Sequence, residues 1–305
     1  VKHQAGRRRR VAAPPLFPRD SVATPSGGGA LYDTPEIYDV ATGWDLEREI
    51  DFLEGLFDRH AGRVERVLEP CCGTGRHLAA LAARGYDVAG YDRSPTMVDF
   101  ARARLRSVGG RVWRGDMASF IPPERFDAAW NPVNSIGYLL EDDDVSGHLE
   151  CMGEAIRSGG IYVAQFSYGG EPPEFARFGP WGNQGGGLST TLLWEVVRED
   201  EATKRSYQHC RITARRGSET RVIDEDHVLR YWTHEDVDRL VERSPFELEA
   251  IYWDNFEEFP REDYRIGDFG NLYHVFRRRS KGAGDAAARG ARRGTARGGA
   301  KPRRR

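Results

Sequence analysis

Residues 67–78 read VLEPCCGTGRHL. Val67 and Leu68 form a short apolar run, Gly73-Thr74-Gly75 breaks it, and Leu78, Leu81 and Ala82 then recur at helical steps. The pattern is strand, glycine turn, helix, which sets backbone N–H groups and the positive end of a helix beyond a strand tip. A dinucleotide fingerprint would need a third glycine where Leu78 stands, and a P-loop would need Lys-Ser/Thr where Arg76-His77 stand. Cys71 and Cys72 are adjacent, whereas metal pairs sit about two to four residues apart. With Cys151 and Cys210 they form neither a zinc signature nor a disulfide framework, so no metal is expected.

Outward from this turn the chain alternates. Tyr32 to Gly62 is helical, with Ile50, Leu53, Leu56 and Phe57 on one face. Gly85 ends the helix after the turn, and Asp87 to Asp92 reads as strand two. Ser94 is the expected N-cap of the next helix, with Pro95 at its first position and Met97, Val98, Ala101 and Leu105 inward. Strand three is Arg111 to Trp113, strand four Phe126 to Trp130. A helix over His148 to Arg157 precedes strand five, Ile161 to Phe166. Five strands alternating with helices predict a parallel sheet covered on both faces. The rhythm breaks at a Gly/Pro-rich stretch, 169–187. Three strand-like runs follow, Thr190 to Arg198, Lys204 to Arg215 and Arg221 to Tyr231, as an antiparallel meander. A capped helix from Thr233 to about Arg243 and two closing strands, Phe246 to Trp253 and Leu272 to Phe276, complete the pattern.

Charge is unevenly spread. Residues 21–276 hold 27 of the 45 Lys and Arg and 45 of the 47 Asp and Glu, a net charge of −18 between tails that together carry +16. An acidic body repels phosphate backbones and argues against a nucleic-acid groove in the core. The tails are Gly/Ala/Arg/Pro mixtures that cannot bury enough apolar surface to order themselves. They read as solvated low complexity, or as basic arms. The chain opens on Val1, as an over-extended start would leave it, and Val11-Ala-Ala-Pro-Pro is too short and broken for a signal-peptide core. With no apolar run of about 18 residues, no membrane span is expected, and a soluble cytoplasmic protein follows.

The acid Glu69, the G-T-G turn and a second acid, Asp92, at the end of strand two suit a ligand with a cationic amine at one end and a ribose at the other. VLEPCCGTGRHL, then GYDVAGYDRSPTMVDFAR at 85–102, then GDM at 115–117, resembles the class I S-adenosylmethionine-dependent methyltransferases over about Tyr32 to Arg278. The resemblance implies a doubly wound, mostly parallel, seven-stranded Rossmann-like sheet with a small antiparallel β lid inserted in it. It also implies S-adenosylmethionine as cofactor. The organisation would be a disordered basic tail over 1–30, helices and cofactor core over 31–168, the β insert over 169–230, the closing part of the core over 231–278, and a second basic tail over 279–305.

By the same resemblance, Gly73, Thr74 and Gly75 would cradle the methionine end of the cofactor and Glu69 would face its amino group. Asp92 would hold both ribose hydroxyls. Asp116 and Met117 would lie at the adenine, with Met97 on its other side or in the core, and Tyr38 would close the pocket. The sequence departs from the family at Cys71, where a glycine is usual.

The acceptor loop of such enzymes follows strand four. Here it is WNPVNSIGYLL, residues 130–140. Asn131-Pro132 begins like the N-P-P-Y motif of amino-methyltransferases acting on nucleic acids and proteins, but Val133 and Asn134 replace its end. The stretch is more similar to the N-S-I-G-Y-L pattern of small-molecule methyltransferases, including the sugar N-methyltransferase and glycine N-methyltransferase-like groups. That implies Asn131 at the cofactor, and Tyr32, Asn134 and Tyr138 around a small-molecule acceptor, with N or O receiving the methyl. Tyr138 and the two meander histidines, His209 and His227, are the candidates for a general base. The alternatives left open are a protein or nucleic-acid substrate gripped by the tails, and a cofactor-binding protein without catalysis. The acidic run Glu141 to Asp144 reads as a helix-start charge cluster.

Overall fold

The structure is a computed structural model, and it describes residues 31–169, 177–260 and 270–280. The basic tail over 1–30 and the second from 281 onward lie outside the described residues, so the expectation of disorder there is not addressed. After a turn at Leu31 come α1 (Pro35–Ala41), α2 (Glu47–Leu56, extended by a wider turn over Phe57–Ala61), β1 (Arg66–Pro70) and α3 (Arg76–Ala83). Then follow β2 (Asp87–Asp92), α4 (Pro95–Leu105), β3 (Arg111–Arg114), β4 (Phe126–Asn131), a 3-10 turn (Ser135–Tyr138), α5 (Asp142–Ala155) and β5 (Ile156–Tyr168). The chain continues through β6 (Arg177–Gly185), β7 (Leu188–Asp200), β8 (Arg205–Arg216), β9 (Glu219–Arg230), α6 (His234–Glu242), β10 (Phe246–Trp253) and β11 (Gly270–Arg278).

Seven strands form the large sheet in the order β10-β11-β5-β4-β1-β2-β3, and β6 to β9 form a second, antiparallel sheet. Within the large sheet only β11 runs against its neighbours. The order reverses at β1, where the chain winds outward through β2 and β3 and then returns to place β4 on β1's other side. Ligands bind α/β sheets beyond the strand tips at such a reversal. Alternate strand residues serve opposite faces. Leu68, Ala129 and Tyr162 pack under α5 and α6, while Val67, Ala128 and Val163 pack under α2, α3 and α4. Trp130 is fully buried and stacks on Tyr273.

Local signals fix the helix ends. The Ser94 hydroxyl accepts from the Met97 amide and Pro95 opens α4, while Thr233 and Asp236 make a reciprocal capping box on α6. Two expectations are corrected. The helix expected from His148 begins at Asp142, with Asp142, Asp143 and Asp144 in its first turn and Arg157 already in β5. The meander has four strands, because β6 forms within the stretch read as Gly/Pro-rich. As an edge strand it tolerates Pro180, whose missing N–H costs no ladder bond on the open side.

The small sheet's inner face packs on the N-terminal segment. Leu31, Ile37 and Ala41 share a buried cluster with Leu188, Leu192, Cys210, Ile212, Ala214 and Ile223. α1 therefore lies between the small sheet and the tips of β1 and β2. Among the described residues no helix is long and apolar enough to cross a membrane.

Candidate active site

A cleft opens beyond the tip of β1, lined by Tyr38, Glu69, Cys71, Gly73, Thr74, His77, Pro132, Val133 and Ser135 among others. The turn at its floor holds Cys71, Gly73 and Gly75 at φ of 56°, 51° and 73°. This left-handed region favours glycine, which accounts for the glycine usual at this position and marks Cys71 as strained there. The two glycines do different work. A side-chain carbon on Gly73 would meet only the Tyr38 ring, at 4.0 Å, whereas one on Gly75 would lie 3.1 Å from the Ala101 Cβ. Gly73 leaves the cleft open; Gly75 lets α3 approach α4.

Parallel pairing aligns the other predicted residues with this turn. Asp92 accepts from the Gly73 amide through Oδ2 and from the Ser94 amide through Oδ1, each at 2.9 Å. Burial pushes its pKa up, and those amides hold it back. Glu69 is 2 % exposed. Its Oε1 lies 3.2 Å from His77 Nδ1, and its Oε2 has no hydrogen-bond partner among the described residues. Asn131 is fully buried, donates to the Pro70 carbonyl at 3.3 Å, and leaves Oδ1 without a partner among the described residues. Buried polar atoms without a partner are uncommon in folded proteins and call for a specific explanation, which a bound ligand would supply.

Met117 is buried, its sulfur 3.5 Å from the Cys71 thiol, and its carbonyl pairs with His148 Nδ1 at 3.1 Å. Asp116 beside it is exposed, accepting from the Ala118 amide. Met97 is buried at the start of α4. The Thr74 hydroxyl donates to Asp39 at 2.7 Å, and Arg104 grips the same carboxylate at 2.8 and 2.6 Å.

Three predicted residues meet around one hydroxyl. The Tyr32 and Tyr138 hydroxyls lie 2.6 Å apart, and His227 Nδ1 is 3.1 Å from the Tyr138 hydroxyl. Ser94 and Thr96 both donate to the Tyr32 carbonyl and fix that ring in place beside Tyr38, 5.8 Å away between centroids. His227 stacks on Trp194, and Glu225 Oε1 lies 3.6 Å from its other nitrogen. Burial drops the His227 pKa to about 4, so the ring is neutral at neutral pH. Burial raises both tyrosines above the usual phenol value.

Two expectations differ here. His209 faces the opposite side of the small sheet, clamped between Asp224 and Asp226 at 2.8 Å each, and takes no part in the cluster. Asn134 does not line a pocket with its amide: its Oδ1 accepts from the Ser167 amide and its own N–H donates to Gln165, stapling the loop to β5. Residues that sequence reading missed are Glu49, Asp39, Arg104, His148, Trp194 and Glu225. Each acts through a partner distant in the chain, and only the pairing reveals it.

The cleft thus presents a free carboxylate oxygen at one end and a buried carboxylate with spare acceptor sites at Asp92, a donor set that fits a ligand with an amine and hydroxyls. Comparison with known proteins agrees with this chemistry. A family model described as a methyltransferase domain matches residues 67–160. A dTDP-3-amino-3,6-dideoxy-alpha-D-glucopyranose N,N-dimethyltransferase of Streptomyces fradiae is 28 % identical over 221 residues, 71 % of this chain and 84 % of that protein. A dTDP-3-amino-3,4,6-trideoxy-alpha-D-glucopyranose N,N-dimethyltransferase of Streptomyces venezuelae is 25 % identical over 193 residues, 62 % and 73 % of the two chains. In fold, the chain is similar to a sugar N-methyltransferase of a Streptoalloteichus species (TM-score 0.64, 21 % identity, 87 % and 99 % covered). It is also similar to an S-adenosylmethionine-dependent methyltransferase of Clostridium acetobutylicum (TM-score 0.65, 16 %, 80 % and 97 %). Residues 67–160 thus carry a methyltransferase domain, and the chain resembles the class I S-adenosylmethionine-dependent methyltransferases in its sequence motifs, its ordered strand tips and its fold.

Proposed function

We propose that the protein methylates the amino group of a small, hydroxyl-rich acceptor of the amino-sugar class. In this reading Glu69 faces the cofactor's ammonium group, Gly73 gives its backbone room, and Asp92 takes the ribose hydroxyls. Asp116 and Met117 border the adenine with Met97 behind, Asn131 offers its free Oδ1, and Tyr38 covers the cleft. When bound, S-adenosylmethionine supplies a methyl group already activated on a sulfonium. The chain's own task is to place the acceptor nitrogen, exclude water and receive a proton.

The observation that carries this reading is the Tyr138 hydroxyl held between Tyr32 and a neutral His227. An amine reaches the site largely as ammonium and must lose a proton to expose its lone pair. The Tyr138 oxygen accepts that proton while its own passes to His227 Nδ1, a two-step relay in which the imidazolium, disfavoured by burial, forms only in passing. The Nε2–H of the resulting imidazolium then faces Glu225 Oε1 at 3.6 Å. The curated relatives that act on aminated dTDP-sugars support the acceptor class. Four free cysteines support a cytoplasmic setting.

The test is labelled-methyl transfer from S-adenosylmethionine to a panel of aminated sugars and sugar nucleotides, with their hydroxyl counterparts, a basic protein and RNA as competitors. Transfer confined to the amines supports the assignment. Label entering protein, RNA or the hydroxyl sugars instead would refute it.

A further inference from the structure

Glu69 does not stand alone beneath the cleft. His77, in the first turn of α3, lies between it and a second carboxylate: Nδ1 is 3.2 Å from Glu69 Oε1, and Nε2 is 3.0 Å from Glu49 Oε2 on α2. Glu49 is itself fixed, because its Oε1 accepts from the Trp44 indole at 3.0 Å. His77 is 7 % exposed and the Trp130 ring packs edge-on against it. Two carboxylates share one imidazole, so even with the imidazole protonated the group stays one positive charge short. The one carboxylate oxygen of the pair that is both buried and without a partner among the described residues is Glu69 Oε2.

We propose that His77 is a positioning residue. Its imidazolium, kept charged by Glu49, orients Glu69 so that Oε2 meets the ammonium at the amino-acid end of the bound cofactor. The proposal rests on the cofactor reading given above. Both ring nitrogens must carry protons to serve two carboxylates, so the ring is a cation and cannot act as a base. Burial opposes that charge, but Glu69 and Glu49 outweigh it and carry the pKa up to about 9. The other charged groups facing this trio are Arg76 on α3, which binds the Thr42 and Trp44 carbonyls, and Asp92 at the tip of β2. Without the imidazolium, the buried Glu69 would take up a proton and lose its attraction for an ammonium.

Calorimetry on the whole chain with two probes tests this. S-adenosylhomocysteine carries the amino-acid end, and 5′-methylthioadenosine lacks it. His77→Gln is expected to weaken S-adenosylhomocysteine by about 10- to 100-fold, the range for losing a charged hydrogen bond, and to leave 5′-methylthioadenosine within about twofold. Glu49→Gln, on the outer side of the trio, lowers the ring's pKa without touching the cleft. It should make S-adenosylhomocysteine binding fall between pH 6 and 8, where the wild type is flat. Equal weakening of both probes by His77→Gln, or a flat profile in Glu49→Gln, overturns the positioning role while leaving the cofactor reading intact. A wild type that binds neither probe removes the cofactor reading, and the inference with it.

Discussion

Tyr138 and His227 meet at 3.1 Å across the seam between the two sheets, one on the turn after β4 and the other on β9. Neither sheet builds this pair alone. The loop after β4 is pinned to β5 through Asn134, and the small sheet is pinned to the N-terminal segment, where the Leu31 amide donates to Glu225. The cleft and the Tyr138–His227 pair are thus supplied by separate layers, joined by Tyr32. Tyr138→Phe keeps the ring and removes the hydroxyl that links the relay. It is expected to lower kcat by about 10²- to 10⁴-fold, the usual contribution of a general base, with S-adenosylhomocysteine affinity unchanged. His227→Asn should cost a similar amount, and the double variant little more, because the two act as a unit. Additive losses in steady-state kinetics would break the link between them.

Stability should depend on pH with two opposite limbs. His148 and His227 are held near pKa 4 by burial, below the ordinary value of about 6.5. The unfolded chain therefore binds more protons between these values, and their stabilising effect is lost as pH falls from 6.5 toward 4. His77 has the reverse sign. Its folded value is about 9, so its contribution is complete below 6.5 and disappears as pH rises through 9. Urea unfolding from pH 4.5 to 9.5 should show maximum stability in between. His148→Gln and His227→Gln should each flatten the acid limb by about one proton; an unchanged slope would contradict their burial as neutral rings.

The sheet of the core was legible because its signals are local. Val67-Leu68, the G-T-G turn, the Ser94-Pro95 cap and the tip acids Glu69 and Asp92 each lie within a few residues of what they specify. The histidines show where this stops. His209 and His227 look alike in sequence, yet the β8/β9 register pairs His209 with Asp226 and turns it to the outer face, leaving His227 inward. Register in polar, alternating strands is weakly written in sequence. β6 was missed because Gly, Pro, Asn and Gln are poor strand formers and only pairing with β7 makes them a strand. The surroundings of His77 are not legible either, since its two carboxylates come from α2 and β1 and no spacing announces them.

The two turn glycines should fail differently. Both sit in the left-handed region, so alanine at either costs about 1 kcal/mol of backbone strain. Gly75→Ala adds a clash with Ala101 at the α3–α4 contact and should lower Tm by several degrees. Gly73→Ala meets only the Tyr38 ring at 4.0 Å and should fold with a smaller loss of Tm. Its methyl group fills the cleft floor, so S-adenosylhomocysteine affinity should drop at least tenfold. Thermal melts with and without S-adenosylhomocysteine separate the cases. A Gly73→Ala protein that is still stabilised normally by the ligand would place the cofactor elsewhere.

α1 has 7 residues, too few to hold as a helix without tertiary ties. Its main tie to the cleft is Asp39, whose carboxylate binds Arg104 twice and Thr74 once. Burial would raise the Asp39 pKa, but Arg104 and Thr74 outweigh it and hold the carboxylate below its usual value. Because Tyr38 is the adjacent residue, this anchor sets the ring that covers Gly73. Asp39→Asn keeps the shape and removes the charge that Arg104 grips. It is expected to speed hydrogen exchange across 35–41 and to weaken S-adenosylhomocysteine by about 3- to 10-fold, with the loss in its dissociation rate. Arg104→Gln, from the other side of the bond, should do the same, and the pair should not be additive. Unchanged exchange in α1 with weakened binding would mean that Asp39 acts on the ligand by its charge and not through the position of Tyr38.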